Sequence, residues 1–260
     1  MRSWMRVSVC GLALVAGLGL SRAAKADTIT ATLETVDPFV GGDLILQGYG
    51  DIDGGIGAIV WQGQSTNPSP FNGTFDTYCI DLIEDIYLGQ SYTFDTGIVA
   101  DSPKSTAFPD GNPDGMGAAK ADELAELFGQ QYALTLPAGN GVDREAFQLA
   151  IWNIIYDTDT SVSPGDGTFY ATGDVSSTAI SIANGFLADA ANPGDEALYH
   201  ADDLITLIGE NGAQDQITVD PDITIGTGVP TPSSAMGGAV LMAGYALALV
   251  YKRRGAWNGI

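Results

Sequence analysis

Histidine occurs once in the 260 residues, at His200, and cysteine only twice, at Cys10 and Cys79. With a single imidazole and no Gly-x-Ser-x-Gly run, a Ser-His-Asp hydrolase has no support. A zinc centre is equally short of ligands. The acid-rich stretches near Asp51 and Asp110 lack the ordered Asp/Asn spacing, central glycine and terminal glutamate of a calcium loop. No metal site and no cofactor are expected. Basic residues are scarce as well: between Asp27 and Tyr251 there are only Lys104, Lys120 and Arg144 against all 32 acidic residues, a formal charge of −29. Such a surface repels nucleic acid and anionic lipid.

What the chain does have is two apolar ends of different character. Arg2 and Arg6 precede an apolar run over 7–20 and then Ala24-Lys25-Ala26, the three regions of a secretory signal peptide, so 1–26 is expected to be removed. Cys10 sits early within the apolar run and follows Val9, which argues against lipidation there. At the other end 235–251 is uncharged and just long enough to span a bilayer, and Lys252, Arg253 and Arg254 follow at once. The positive-inside rule keeps that cluster cytoplasmic and everything before Ala235 on the exported side. Loss of the signal leaves Cys79 alone in a protein facing an oxidising compartment, a situation that calls for an explanation. One is a buried thiol serving as a small hydrophobe.

The working part is then 27–219, long enough for a real core. Its first half reads as strands at 28–36, 43–47, 58–62, 75–82 and 91–94, punctuated by glycine, proline and asparagine. The middle changes to helical period at 122–132 and 174–190. Between them a central helix is expected, capped by Asp143, with Phe147, Ala150, Ile151, Ile154 and Thr158 as its buried stripe. Gln148 and Trp152, four apart, share the flank of that stripe. Strands return at 203–208 and 214–219. The fold class expected is α+β: a β-sandwich or barrel with an inserted helical bundle, closed by C-terminal strands.

Three pieces stand out on this scaffold: Tyr78-Cys79-Ile80-Asp81 on a strand, Gln148-Leu149-Ala150-Ile151-Trp152 on the central helix, and Gln214-Asp215-Gln216-Ile217 on a late strand. In that order they resemble the thioester domains of bacterial surface adhesins. The resemblance implies that the Cys79 thiolate displaces ammonia from the late glutamine, leaving an internal thioester that an outside amine or hydroxyl can open. Gln214 fits the apolar-Gln-x-x-apolar pattern and Gln216 is the alternative; Tyr78, Gln148 and Trp152 are the supporting residues. The family usually carries threonine before the helix glutamine, and here Phe147 stands there. An amide is a poor electrophile, so the reaction needs a thiolate at near-attack distance, a donor on the amide oxygen and excluded water. Gln148 is the expected source of the polar contact and Trp152 of the water barrier. Such a protein acts once and has no catalytic residues in the sense of a turnover enzyme.

The tail carries a second resemblance. Val229-Pro230-Thr231-Pro232 within the linker 220–234, the expected transmembrane helix, and Lys252-Arg253-Arg254, which completes the segment 235–254, are similar to a PEP-CTERM sorting signal, with Thr231 in place of the usual glutamate. That implies processing by an exosortase-type enzyme in the inner membrane of a Gram-negative envelope. It further implies delivery to the cell surface or extracellular matrix. The other reading of the whole chain is an acidic structural protein of the extracellular polysaccharide matrix that binds non-covalently, with Cys79 merely buried.

Overall fold

The computed structural model describes residues 27–69, 71–103, 115–136, 141–192 and 199–220. The signal, the linker with its sorting motif, the tail helix, Lys104 and the stretch around Asp110 lie outside the described residues.

The described residues form seven strands and three α-helices: β1 Thr28–Leu46, β2 Gly50–Gly63, β3 Thr74–Cys79, β4 Ser91–Gly97, α1 Ala118–Gln131, α2 Gly141–Tyr156, β5 Phe169–Thr172, α3 Ser177–Ala190, β6 Leu204–Gly209 and β7 Gln216–Val219. All pairings are antiparallel. Following the hydrogen bonds from β1 leads through β2, β3, β7, β6 and β4 back to β1, so six strands close into a barrel. β5 pairs with the far half of β1, outside the ring. Of the two architectures expected, the barrel is the one formed, and the helices are inserted between β4 and β6.

The strands expected separately at 28–36 and 43–47 are one continuous β1. The Asp37-Pro38 pair that reads as a break is absorbed by a register shift against β2 between Asp37 and Val40, the sort of position where a strand tolerates proline. β3 stops at Cys79 rather than at 82, and β7 begins at Gln216, so Gln214 belongs to the turn before the strand.

Side chains alternate across the barrel wall. Ile29 faces Phe94 across the β1–β4 pair and Leu33 faces Trp61 across β1–β2, and all four are buried. Trp61 meets Phe94 edge to face at 5.1 Å. Burying an aromatic of this kind contributes roughly 2–3 kcal/mol before packing geometry is counted. On the outer wall Tyr78 packs against Phe147 of α2 at 4.8 Å, and Phe147 meets Phe128 of α1 at 5.0 Å. Phe147 therefore serves as the aromatic link between helices and barrel.

α2 corrects the expectation of a one-sided helix. Every residue from 144 to 156 is buried, because α1 and α3 cover one side and β1, β2, β3 and β5 the other. Gln148 and Trp152 are therefore buried outright, at 1% and 2% exposure, and not on a flank. Asp143 lies inside the first turn rather than capping it, and Thr158 lies beyond the helix. The caps fall differently on α3, where Ser176 Oγ accepts from Ala179 N at 3.0 Å. Arg144 fixes the placement of α2: its guanidinium meets Asp37 of β1 at 2.7 Å and Asp76 of β3 at 3.7 Å, and its Nε donates to Thr135 O. That clamp sits one helical turn before Gln148. Among the described residues no helix is long and apolar enough to cross a membrane.

Candidate functional site

Cys79 is the last residue of β3 and lies opposite Gln216, the first residue of β7. Ile80 N donates to Asp215 O at 3.0 Å, just beyond the pair, while the N–H and C=O of Cys79 itself turn away from β7. The two residues thus form a non-hydrogen-bonded antiparallel pair, the kind whose Cα atoms stand about 4.5 Å apart with side chains on one face. By the parity of the barrel wall that face is the interior, shared with Thr77 and Leu207. Tyr78 points the other way, to the helices.

The outward-turned peptide groups of Cys79 are met by α2. Gln148 Oε1 accepts from Cys79 N and Gln148 Nε2 donates to Cys79 O, both at 2.8 Å. One side-chain amide thus replaces the neighbouring strand that β3 lacks at this point. This differs from the expected role: Gln148 holds the backbone of the cysteine rather than the oxygen of the late glutamine.

That oxygen is served by a different group. Trp61 Nε1 donates to Thr77 Oγ1 (2.8 Å), Thr77 Oγ1 donates to Gln216 Oε1 (3.0 Å), and Gln216 Nε2 donates to Gln214 Oε1 (3.2 Å) and Gln214 O (3.0 Å). Gln214 Nε2 in turn donates to the backbone carbonyl of Asp81 (2.9 Å). The same carbonyl accepts from Cys79 Sγ at 3.0 Å. Sulfur and amide nitrogen share one acceptor, and so lie within about 6 Å of each other. The bonds run in one direction from Trp61 to Gln214, an arrangement in which each strengthens the next. Both glutamines are thus brought to the thiol: Gln216 fully buried between Thr77 and Gln214, and Gln214 half-buried at the mouth.

The surroundings are dry and acidic. Burial pushes the Cys79 thiol well above its usual range, and the negative charge of Asp81 adds to the rise. Trp152 works against it, although its indole N–H meets no acceptor with good bonding geometry. Asp81 is itself 0% exposed. Its Oδ1 accepts from Ile83 N at 2.8 Å and Glu84 N at 3.4 Å, folding the turn after β3, while its Oδ2 accepts from no donor and the Glu84 carboxyl lies within hydrogen-bonding reach of the Asp81 side chain. Burial, opposed by those backbone donors and reinforced by Glu84 and Asp215, raises its pKa to about 7. Tyr156 Oη closes the back of the turn, donating to Ile80 O at 3.2 Å and accepting from Leu82 N at 3.0 Å.

Thr77 and Tyr156 lie outside the motifs that stand out in the sequence, and Asp81 closes the cysteine motif with no role assigned to it there. Thr77 had a readable signal, since it stands two before Cys79 and so on the same face of a strand. An open cleft of about 630 Å³ bordered by Lys120, Glu123, Glu126, Asp157 and Asp159 lies apart from this cluster, and neither Cys79 nor either glutamine lines it. No protein-family model, no curated protein and no solved structure matches this chain.

Proposed function

We propose that the chain is an exported, surface-sorted adhesion or matrix protein whose barrel carries an internal thioester between Cys79 and Gln214. An amine or hydroxyl of a partner opens the bond once. The observation that carries this reading is the Asp81 carbonyl that accepts from both the Cys79 thiol and the Gln214 amide nitrogen. Sulfur attacks the amide carbon, the carbon–nitrogen bond breaks, and ammonia leaves. Gln216 Nε2 supplies the donor on the amide oxygen that such an attack requires, and both Gln216 and the Cys79 thiol are buried. Gln214, being half-buried, gives the incoming nucleophile its approach. Export and sorting rest on the two chain ends, with an exosortase-type enzyme as processing partner and the inner membrane as a stage in transit.

The raised thiol pKa favours a second reading, because burial disfavours the thiolate that attacks. In that reading the protein is a non-covalent acidic component of the extracellular polysaccharide matrix and Cys79 is packing. Intact mass decides between the two. Freshly purified folded protein is expected to weigh one ammonia less than its sequence requires, and Cys79→Ala to restore the full mass. An unmodified wild-type mass would leave the matrix reading. A cross-link mapped to Gln216 would move the bond by two residues and keep the reading.

A further inference from the structure

Resting on the thioester reading, we propose that Thr77 is the positioning residue for acyl transfer at Gln214: anchored by Trp61, its hydroxyl fixes the direction of the Gln216 amide and keeps the Gln216 N–H on the oxygen where the reaction gathers charge. Attack on an amide or a thioester turns the carbonyl oxygen into an oxyanion. A donor already aimed at that oxygen is worth far more than one that must first turn toward it. Gln216 is such a donor only while its amide sits one way round. An amide presents an acceptor at one end and donors at the other with almost the same shape, so its neighbours decide its direction.

The neighbours here decide it from both ends. The chain from Trp61 through Thr77, Gln216 and Gln214 to Asp81 begins at an indole N–H, which can only donate, and ends at a backbone carbonyl, which can only accept. Trp61, Thr77 and Gln216 are all fully buried. The Thr77 hydroxyl accepts from Trp61 Nε1 at 2.8 Å and gives its own hydrogen to Gln216 Oε1 at 3.0 Å. Gln216 Nε2 is thereby left facing Gln214, where it donates to both Oε1 and the backbone oxygen. Turned round, Gln216 would set its carbonyl against both of those oxygens and leave the Thr77 hydrogen unanswered in a buried place, a costly arrangement. Turning Gln214 as well would only carry the conflict to the Asp81 carbonyl. Once ammonia has left, the chain ends on the thioester oxygen, which also can only accept, so its direction is kept.

The same oxygen is used twice. In formation sulfur bonds to the amide carbon of Gln214, the carbon–nitrogen bond breaks, and the thiol hydrogen leaves on the ammonia. In opening an amine nitrogen bonds to that carbon, the sulfur–carbon bond breaks, and a hydrogen of the amine passes to sulfur. Each step passes through a carbon that bears an oxyanion. Thr77 acts on both through Gln216.

The test is the rate at which methylamine opens the bond in the full-length protein at pH 8, followed by intact mass, with peptide mapping of the methylamide. Thr77→Val keeps the shape of the side chain and removes the hydroxyl, whereas Thr77→Ser keeps the hydroxyl. Opening is expected to be about 10- to 100-fold slower in Thr77→Val and near wild type in Thr77→Ser. The sign separates positioning from packing, because a site merely loosened by the substitution would admit the amine and open faster. A Thr77→Val protein that folds, by urea unfolding, yet keeps its ammonia, beside a Thr77→Ser protein that loses it, is the same result at the forming step. Where Thr77→Val does not fold, Trp61→Phe takes its place: the hydroxyl remains but is free to turn, and slower opening is again expected. Opening at the wild-type rate or faster in the folded variant, or a wild-type methylamide on Gln216 in place of Gln214, would overturn the role of Thr77 while the thioester stands. A wild-type protein with no ammonia lost and no methylamine gained would overturn both.

Discussion

At the scale of single residues, the Asp81 carboxyl has a thermodynamic consequence separate from any chemistry. Its ordinary pKa is 3.8 and in the fold it is about 7, chiefly because burial penalises the charge. Between those values the folded state holds a proton that the unfolded chain has lost. Stability from this group is therefore full below about pH 4 and is lost as pH rises through 7, a change of a few kcal/mol at most. In a Cys79→Ala background, Asp81→Asn should raise stability by about 2–4 kcal/mol at pH 8 and by nothing at pH 4, measured by urea unfolding. An equal gain at both pH values would show that packing, not charge, is what the substitution relieves. Cys79, Gln148 and Gln214 were legible in the sequence as parts of a recognisable order of motifs. The donor on Gln214 was not, because it comes from Gln216, whose role depends on the turn that brings its neighbour two residues earlier back over it. Asp81 was quoted with the cysteine motif and given no task, since nothing in a linear reading distinguishes a buried acid from a solvated one.

Among the elements, the segment between β6 and β7 is held by a close approach. Gly209 ends β6 and its N–H donates to Asp215 Oδ1 at 2.8 Å. A Cβ there would overlap the carbonyl of Ala213, the residue before Gln214. Gly209→Ala should therefore cost about 1–3 kcal/mol and displace Gln214, with a smaller fraction of the protein losing ammonia. Both are read from one sample, by urea unfolding and intact mass. Wild-type values in the two would mean that the turn yields without moving the amide. The strands of the first half were largely legible by period, as were Leu124, Leu127 and Phe128 on α1, all buried. The four residues of β5 were missed, being too short for alternation to register. Phe147, Ala150, Ile151 and Ile154 of the expected α2 stripe are buried, but so are the residues between them, because a helix covered on all sides has no polar face to set its period. Its tertiary surroundings, not its sequence, decide what its polar residues do.

For the molecule as a whole, charge and topology matter most. The acidic side chains of the described residues, answered there only by Lys120 and Arg144, are held closer together by the fold than in the open chain and repel one another more. Raising sodium chloride from about 10 to 150 mM shortens the screening length from roughly 30 to 8 Å. The melting temperature should rise by about 2–4 °C for each kcal/mol of repulsion relieved, which thermal scans at fixed pH would detect. A flat response would mean that the acids are already spaced beyond mutual reach. The barrel was legible only as one of two closures, because ring closure depends on β7 inserting between β3 and β6, a long-range pairing that period alone does not encode. That insertion also has a mechanical side. Gln214 lies only a few residues before Asp220, where the described chain leaves β7. For a partner bonded at Gln214 and a chain held from its C-terminal side, tension would run along β7 alone. The barrel and its helices would stay outside the loaded path, so even their unravelling under shear would not release the cargo.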